Sequence, residues 1–181
     1  MRGGLQRLAC IQAVHAVSLI PHHEPGATMS LVGTTAPDFT LLDPSRSPVS
    51  LSSYRGQKVV LAFFPGAFTG VCTAEMCALR DGLAGFNSLG ATVLAVCVDS
   101  PYANGVFTEQ NALNFPVLSD YNRIAVDAYG IAFENFAGMD GYVAANRCVF
   151  IVNEEGTIIY QWFGPHLGAE PDYAAIAEAL A

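Results

Sequence analysis

Cys72 lies where a thiol can be turned into a nucleophile. It belongs to the stretch Pro65-Gly66-Ala67-Phe68-Thr69-Gly70-Val71-Cys72-Thr73-Ala74-Glu75-Met76-Cys77, between an apolar run and a helical pattern. With Thr69 as N-cap, Cys72 takes the third helical position, where a capping box would put an acid. Unpaired backbone N–H groups and the positive end of the helix dipole favour an anion there. A cysteine with the ordinary pKa of ~8.5 is only ~3% thiolate at pH 7, and a drop of two units, about 2.7 kcal/mol, makes the thiolate the major form.

Helical phase separates the two sulfurs of this stretch. Cys72, Met76, Leu79, Leu83 and Phe86 recur as one apolar stripe, so Cys72 is expected to face the protein body. Cys77 falls ~140° round the helix, on the face of Arg80, Asp81, Ala84 and Ser88, and is expected to look outward. A cysteine on a polar face is atypical, which points to redox work. In an intact helix the two Cα atoms lie roughly 8 to 9 Å apart, whereas a disulfide tolerates at most about 7 Å. A bond between Cys72 and Cys77 therefore requires the first turns to unwind.

The other reactive types carry weaker signals. Cys97 and Cys148 lie inside apolar strand patterns and read as core, and Cys10 reads as idle. Arg147 opens an apolar strand, where on its own it would only cap the strand end with its charge in solvent. Glu75, near the start of the same helix as Cys72, reads from its position as an acid serving the helix dipole. His166 stands alone after Pro165, and the four histidines and five cysteines show no zinc spacing. With no glycine-rich phosphate loop either, the chain is expected to carry no metal, nucleotide or other cofactor.

From residue 29 onward the elements that must hold these groups alternate strand and helix. Phe39 to Leu42 and Val49 to Leu51 read as short edge strands, and Val59 to Phe64 as a strand covered on both faces. A helix over 70–88 follows, then a covered strand over 92–98. Helical pieces near 103–111 and 121–129 flank a short strand at 116–118. Strands at 147–152 and 157–163 are joined by a turn at Asn153-Glu154-Glu155-Gly156, and Pro171 to Leu180 forms a closing helix. Such a series predicts a central mixed sheet flanked by helices, a three-layer α/β/α domain over 29–181. Residues 1–28 differ in composition and read as a mobile N-terminal extension, without a convincing export signal.

Composition sets the outer bounds. The 181 residues are 52% hydrophobic and 13% charged, which describes one compact domain with a large core. Sixteen acidic against eight basic side chains give a net charge of -8, which disfavours nucleic acid and anionic bilayers as partners. The longest weakly polar runs, at 8–20 and 59–71, fall short of the roughly 20 residues that cross a bilayer. An odd cysteine count without paired spacings fits a reducing compartment, so a cytoplasmic location is expected.

The run Pro65-x-x-x-Thr69-x-x-Cys72 resembles the active-site motif of the peroxiredoxins, thiol peroxidases built on the thioredoxin fold. Gly33 to Phe39, Phe63-Phe64-Pro65, Val96 to Ser100 and Arg147 to Val152 resemble further segments of that family. The resemblance implies roles by position. Cys72 would be the peroxidatic cysteine, Thr69 the hydroxyl bonding the sulfur and the peroxide, Pro65 the shield against water, and Arg147, favoured by its strand context over its rival Arg123, the cation fixing the thiolate. Glu75 would hold the arginine in place. It also implies hydrogen peroxide and organic hydroperoxides as substrates, no prosthetic group, a thioredoxin-like or glutaredoxin-like reductant, and a homodimer or higher oligomer.

Two branches share the likeness. A second cysteine five residues after the first resembles the bacterioferritin comigratory protein branch, in which it resolves the sulfenic acid. The loop from Pro65 to Cys72, and the tail around Glu170-Pro171-Asp172-Tyr173, look closer to the alkyl hydroperoxide reductase E type, which often works with one cysteine. Cys77 is thus a candidate resolving residue. Outside peroxidase chemistry two readings stand. One is a protein disulfide exchanger, disfavoured because four residues rather than two separate Cys72 and Cys77. The other is a non-enzymatic redox-sensing or holdase module.

Overall fold

A computed structural model of the chain describes residues 30–181. The expected extension at 1–28, and Cys10 within it, lie outside the described residues.

Three consecutive apolar runs form the parallel centre of the sheet: β3 (Lys58–Phe63), β4 (Ala91–Cys97) and β5 (Val117–Ser119). Nearly every position in them is buried, as a strand covered on both faces requires. β1 (Thr40–Leu42) pairs antiparallel with β5 and with β2 (Pro48–Ser50). β8 (Cys148–Val152) and β9 (Ile158–Phe163) form the closing antiparallel hairpin. The order across the sheet is β2-β1-β5-β4-β3-β8-β9, so β2 is an edge strand while β1 lies inside it, paired on both sides.

Helices cover the two faces unequally. α1 (Gly70–Ser88), α2 (Pro101–Gln110) and α4 (Tyr173–Leu180) enclose one core layer, in which Phe64, Met76, Leu79, Phe107 and Ile176 meet. The short α3 (Ile124–Ala128) and the segment from Ala36 to Leu51 enclose the other, centred on Phe63, Tyr129 and Phe150. The three-layer thioredoxin-like arrangement expected from the sequence is therefore present. A small ribbon, β6 (Ala132–Phe133) with β7 (Ala144–Ala145), was not foreseen, because two-residue strands carry no periodicity.

Candidate active site

Sheet register brings the reactive residues together. Phe63, the last residue of β3, pairs with Cys148, the first of β8. The chain leaving β3 toward Cys72 thus runs beside the chain that arrives at β8 through Arg147. Arg147 lies in the bend just before the strand, not in the strand as the sequence pattern had it. Its side chain turns inward, where it is 3% exposed.

The expected helix start is observed. α1 begins at Gly70 with Thr69 as N-cap in extended geometry, and the Thr73 N–H donates to the Thr69 carbonyl at 2.9 Å. Cys72 is the third helical residue and is 1% exposed, on the inward stripe with Met76 and Leu79. The Thr69 hydroxyl does not cap the helix; it donates to the Gly66 carbonyl at 3.0 Å. Pro65 is buried at the end of the same loop, and the Ala67 N–H donates to Asp99 Oδ2 at 2.8 Å.

Arg147 is the hub. Its Nη2 donates to Cys72 Sγ at 3.2 Å and to the Leu167 carbonyl at 3.1 Å, while Nη1 pairs with Glu75 Oε2. Glu75 is 0% exposed, so this is a buried ion pair, and Glu75 Oε1 and Arg147 Nε have no hydrogen-bond partner. Burial pushes the Glu75 carboxyl up to about 7, against the pull of Arg147 and with a further push from Glu170. Burial is the largest single influence and works against the charge on Arg147, yet the Coulombic pull of Glu75 and Cys72 and its hydrogen bonds to both together outweigh it, and the guanidinium ends above its usual value. The asymmetry is physical: Arg147 faces two groups that can carry negative charge and a carbonyl, whereas Glu75 faces one cation, an orphaned oxygen and a second acid.

The remaining candidates separate. Cys77 is half-buried rather than outward-facing, its Sγ 3.9 Å from Asn111 Oδ1 at the end of α2; Arg80 Nη1 donates to the Asn111 carbonyl at 2.6 Å. Both cysteines are free thiols on one unbroken helix. Arg123 directs its donors to the carbonyls of Val143 and Tyr121, which leaves Arg147 as the cation on Cys72. Cys97 and Cys148 are fully buried, and burial pushes both thiols well up, as core cysteines behave. Among the described residues no group of three or more His, Cys, Asp or Glu is placed to hold a metal ion, and no helix is long and apolar enough to cross a membrane.

Sequence reasoning noted a lone His166 and a family-like tail in the segment between β9 and α4 but gave it no part in the site. The Gly164 N–H donates to the Arg147 carbonyl at 2.9 Å, Leu167 supplies the carbonyl on Nη2, and His166 lines a cleft with Asn146 and Arg147. Beyond it, Tyr173 donates to Glu170 at 2.8 Å, and burial, Glu170 and Glu75 push the phenol up. Leu167 acts through its backbone, so no side-chain signal existed to find it.

Comparison with known proteins gives a consistent picture. The family model described as AhpC/TSA matches residues 32–161. The chain is 40% identical over 129 residues to a "Putative peroxiredoxin bcp" of Haemophilus influenzae, covering 71% of this chain and 83% of that protein. It is 42% identical over 130 residues to "Alkyl hydroperoxide reductase E" of Mycobacterium tuberculosis, covering 70% and 81%. Among solved structures, a peroxiredoxin-like protein from Aquifex aeolicus superposes with a TM-score of 0.75 at 25% identity, over 86% of this chain and 88% of that one.

Proposed function

On the premise that this chain belongs to the AhpC/TSA family, the peroxiredoxins, we propose that Cys72 is the peroxidatic nucleophile of a thiol-dependent peroxidase. The observation that carries the assignment is the Arg147 guanidinium at 3.2 Å from Cys72 Sγ, at the start of α1. Among the described cysteines, only Cys72 combines a helix N-terminus with a bonded arginine.

The thiolate attacks one oxygen of hydrogen peroxide or an organic hydroperoxide. An S–O bond forms, the O–O bond breaks, and the leaving hydroxide or alkoxide takes a proton to depart as water or alcohol. Arg147 and the backbone N–H groups at the helix start offset charge moving to the leaving oxygen. Thr69, one turn before the sulfur, supplies a hydroxyl able to turn from the Gly66 carbonyl to the peroxide. Pro65 closes the loop against water, and Glu75 fixes the plane of the guanidinium. The product on Cys72 is a sulfenic acid. Cys77 then displaces its hydroxyl as water to give a disulfide, and a thioredoxin-like or glutaredoxin-like dithiol reduces that disulfide.

One observation favours a second reading for the last steps. α1 is unbroken across both sulfurs and Cys77 is engaged with Asn111, so an external thiol could meet the Cys72 sulfenic acid first. Intact mass after one equivalent of peroxide separates the two. Loss of about two mass units from the wild type, with Cys77→Ser gaining about sixteen, establishes the internal disulfide. A wild type that gains about sixteen establishes a one-cysteine cycle. Peroxide consumption that survives Cys72→Ser defeats the whole assignment.

A further inference from the structure

We propose that Asp99 is the positioning residue of the active-site loop: its carboxylate anchors the Pro65–Thr69 turn in the shape that presents Cys72 to Arg147. The inference rests on the peroxidase reading and adds a residue to it. β3 and β4 pair in parallel as far as Phe63 and Val96. Past that point the Phe64 N–H still donates to the Val96 carbonyl at 3.0 Å, and the Ala67 N–H then donates to Asp99 Oδ2 at 2.8 Å. Asp99 thus takes over from the ladder just where the loop departs from the sheet.

The anchor is itself held. The Ser119 hydroxyl at the end of β5 donates to the Asp99 carbonyl, and Ser100, the next residue, caps α2 by accepting from the Ala103 N–H at 3.2 Å. On the loop side, a Cβ at Gly66 would meet Asp99 Oδ2 at 3.7 Å and the Phe136 ring at 3.8 Å, so the turn lies against both.

The loop has reason to need an anchor. Phe68 has φ of +64°, in the left-handed region that a bulky side chain avoids, and it is 54% exposed, with an edge contact to Phe107 at 5.3 Å. A strained residue persists only where its surroundings over-determine it. The fixed Ala67 amide before it and the helix start after it do so. From the anchored turn the Gly66 carbonyl receives the Thr69 hydroxyl, Thr69 takes the N-cap position of α1 without a side-chain cap bond, and Cys72 follows three residues on. Loss of the Asp99 acceptor would let the turn relax and shift the sulfur relative to Arg147.

The test compares full-length Asp99→Ala, Asp99→Asn and Asp99→Glu with wild type. The readouts are the second-order rate with hydrogen peroxide and the pH profile of Cys72 alkylation, with circular dichroism reporting folding. Asp99→Ala is expected to lose about ten- to a hundredfold in rate, the scale of a misplacement near 1 Å, and to move the alkylation midpoint up. Asp99→Asn keeps an acceptor at the same distance and is expected to stay within about twofold of wild type. Asp99→Glu keeps the charge but displaces the acceptor; it is expected to fall between them, and it decides the matter if the alanine variant does not fold. Equal rates and midpoints in all variants would overturn the proposal, as would an asparagine variant as impaired as a folded alanine variant, because charge would then be the cause. If wild type consumes no peroxide, the peroxidase reading fails while the alkylation profiles still decide the role of Asp99.

Discussion

Glu75 makes the stability of this domain depend on pH in a calculable way. Its carboxyl is fully buried and raised from an ordinary 4.5 to about 7, which corresponds to about 3 kcal/mol between the neutral and charged forms. Because the raised value belongs to the folded state, the native site prefers the proton. Below about pH 4.5 both folded and unfolded chains hold it, and the group detracts nothing. Between about 4.5 and 7 the unfolded chain releases its proton first, so stability declines; above about 7 both are ionised and the slope vanishes. Glu75→Gln imitates the protonated state at every pH, and titrating groups not coupled to Glu75 cancel in the comparison. Urea unfolding of both proteins from about pH 4 to about 8.5 should show the variant gaining on the wild type by about 3 kcal/mol across that window. A difference that stays flat, or one in which wild type gains as pH rises, would refute the reasoning and mean that Arg147 fully compensates the buried charge.

Three further outcomes follow from the same contacts. Arg147→Met removes the donor 3.2 Å from Cys72; the alkylation midpoint should rise and the peroxide rate measured by stopped flow should fall about a hundredfold or more, with Arg147→Lys a poor rescue because only a planar fork reaches Cys72, Leu167 and Glu75 at once. Asp172→Ala removes the carboxylate that accepts from the Ala174 and Ala175 N–H groups at the start of α4, and should cost about 1 kcal/mol in urea unfolding. Gly70→Ala adds a Cβ into open space at the first residue of α1 and should stabilise that turn by about 0.4–1 kcal/mol; if Cys77 resolves by unwinding it, disulfide formation after peroxide slows by about two- to fivefold, read by quenched mass spectrometry.

What could be read from the sequence was what repeats along the chain. The stripe Cys72, Met76, Leu79, Leu83, Phe86 gave the phase of α1, and every one of those side chains is buried. Apolar runs gave β3 and β4 and placed Cys97 and Cys148 in the core. The rest depends on groups distant in sequence. Arg147 reaches Cys72 because Phe63 pairs with Cys148, a register no local pattern records. The Leu167 carbonyl and the Tyr173–Glu170 bond come from chain folded back after β9. Cys77 faces Asn111 because α2 ends beside α1, which turned an outward position into a half-buried one. The Thr69 hydroxyl, a cap by residue type, is drawn to Gly66 by the turn around Phe68.

On the proposed reading, the groups that would prepare Cys72 for attack also keep it from Cys77. Helix start, Arg147 and Glu75 act on the sulfur only while the first turns of α1 are wound, and in that state the two sulfurs cannot bond. Glu75 lies between the cysteines in sequence, so unwinding that joins them would displace the backbone carrying its buried pair with Arg147. Oxidation changes that balance, because a sulfenic acid is neutral and no longer offers Arg147 a full negative charge. On the proposed mechanism a Cys72 thiolate would favour the wound helix before reaction, and the sulfenic acid would not. Water outside also suits an ionised Glu75 better than its buried site does, so unwinding becomes easier as pH rises from about 4.5 toward 7. If Cys77 is the resolving residue, attack and resolution are successive states of one helix, and oxidation of Cys72 favours the passage from one to the other.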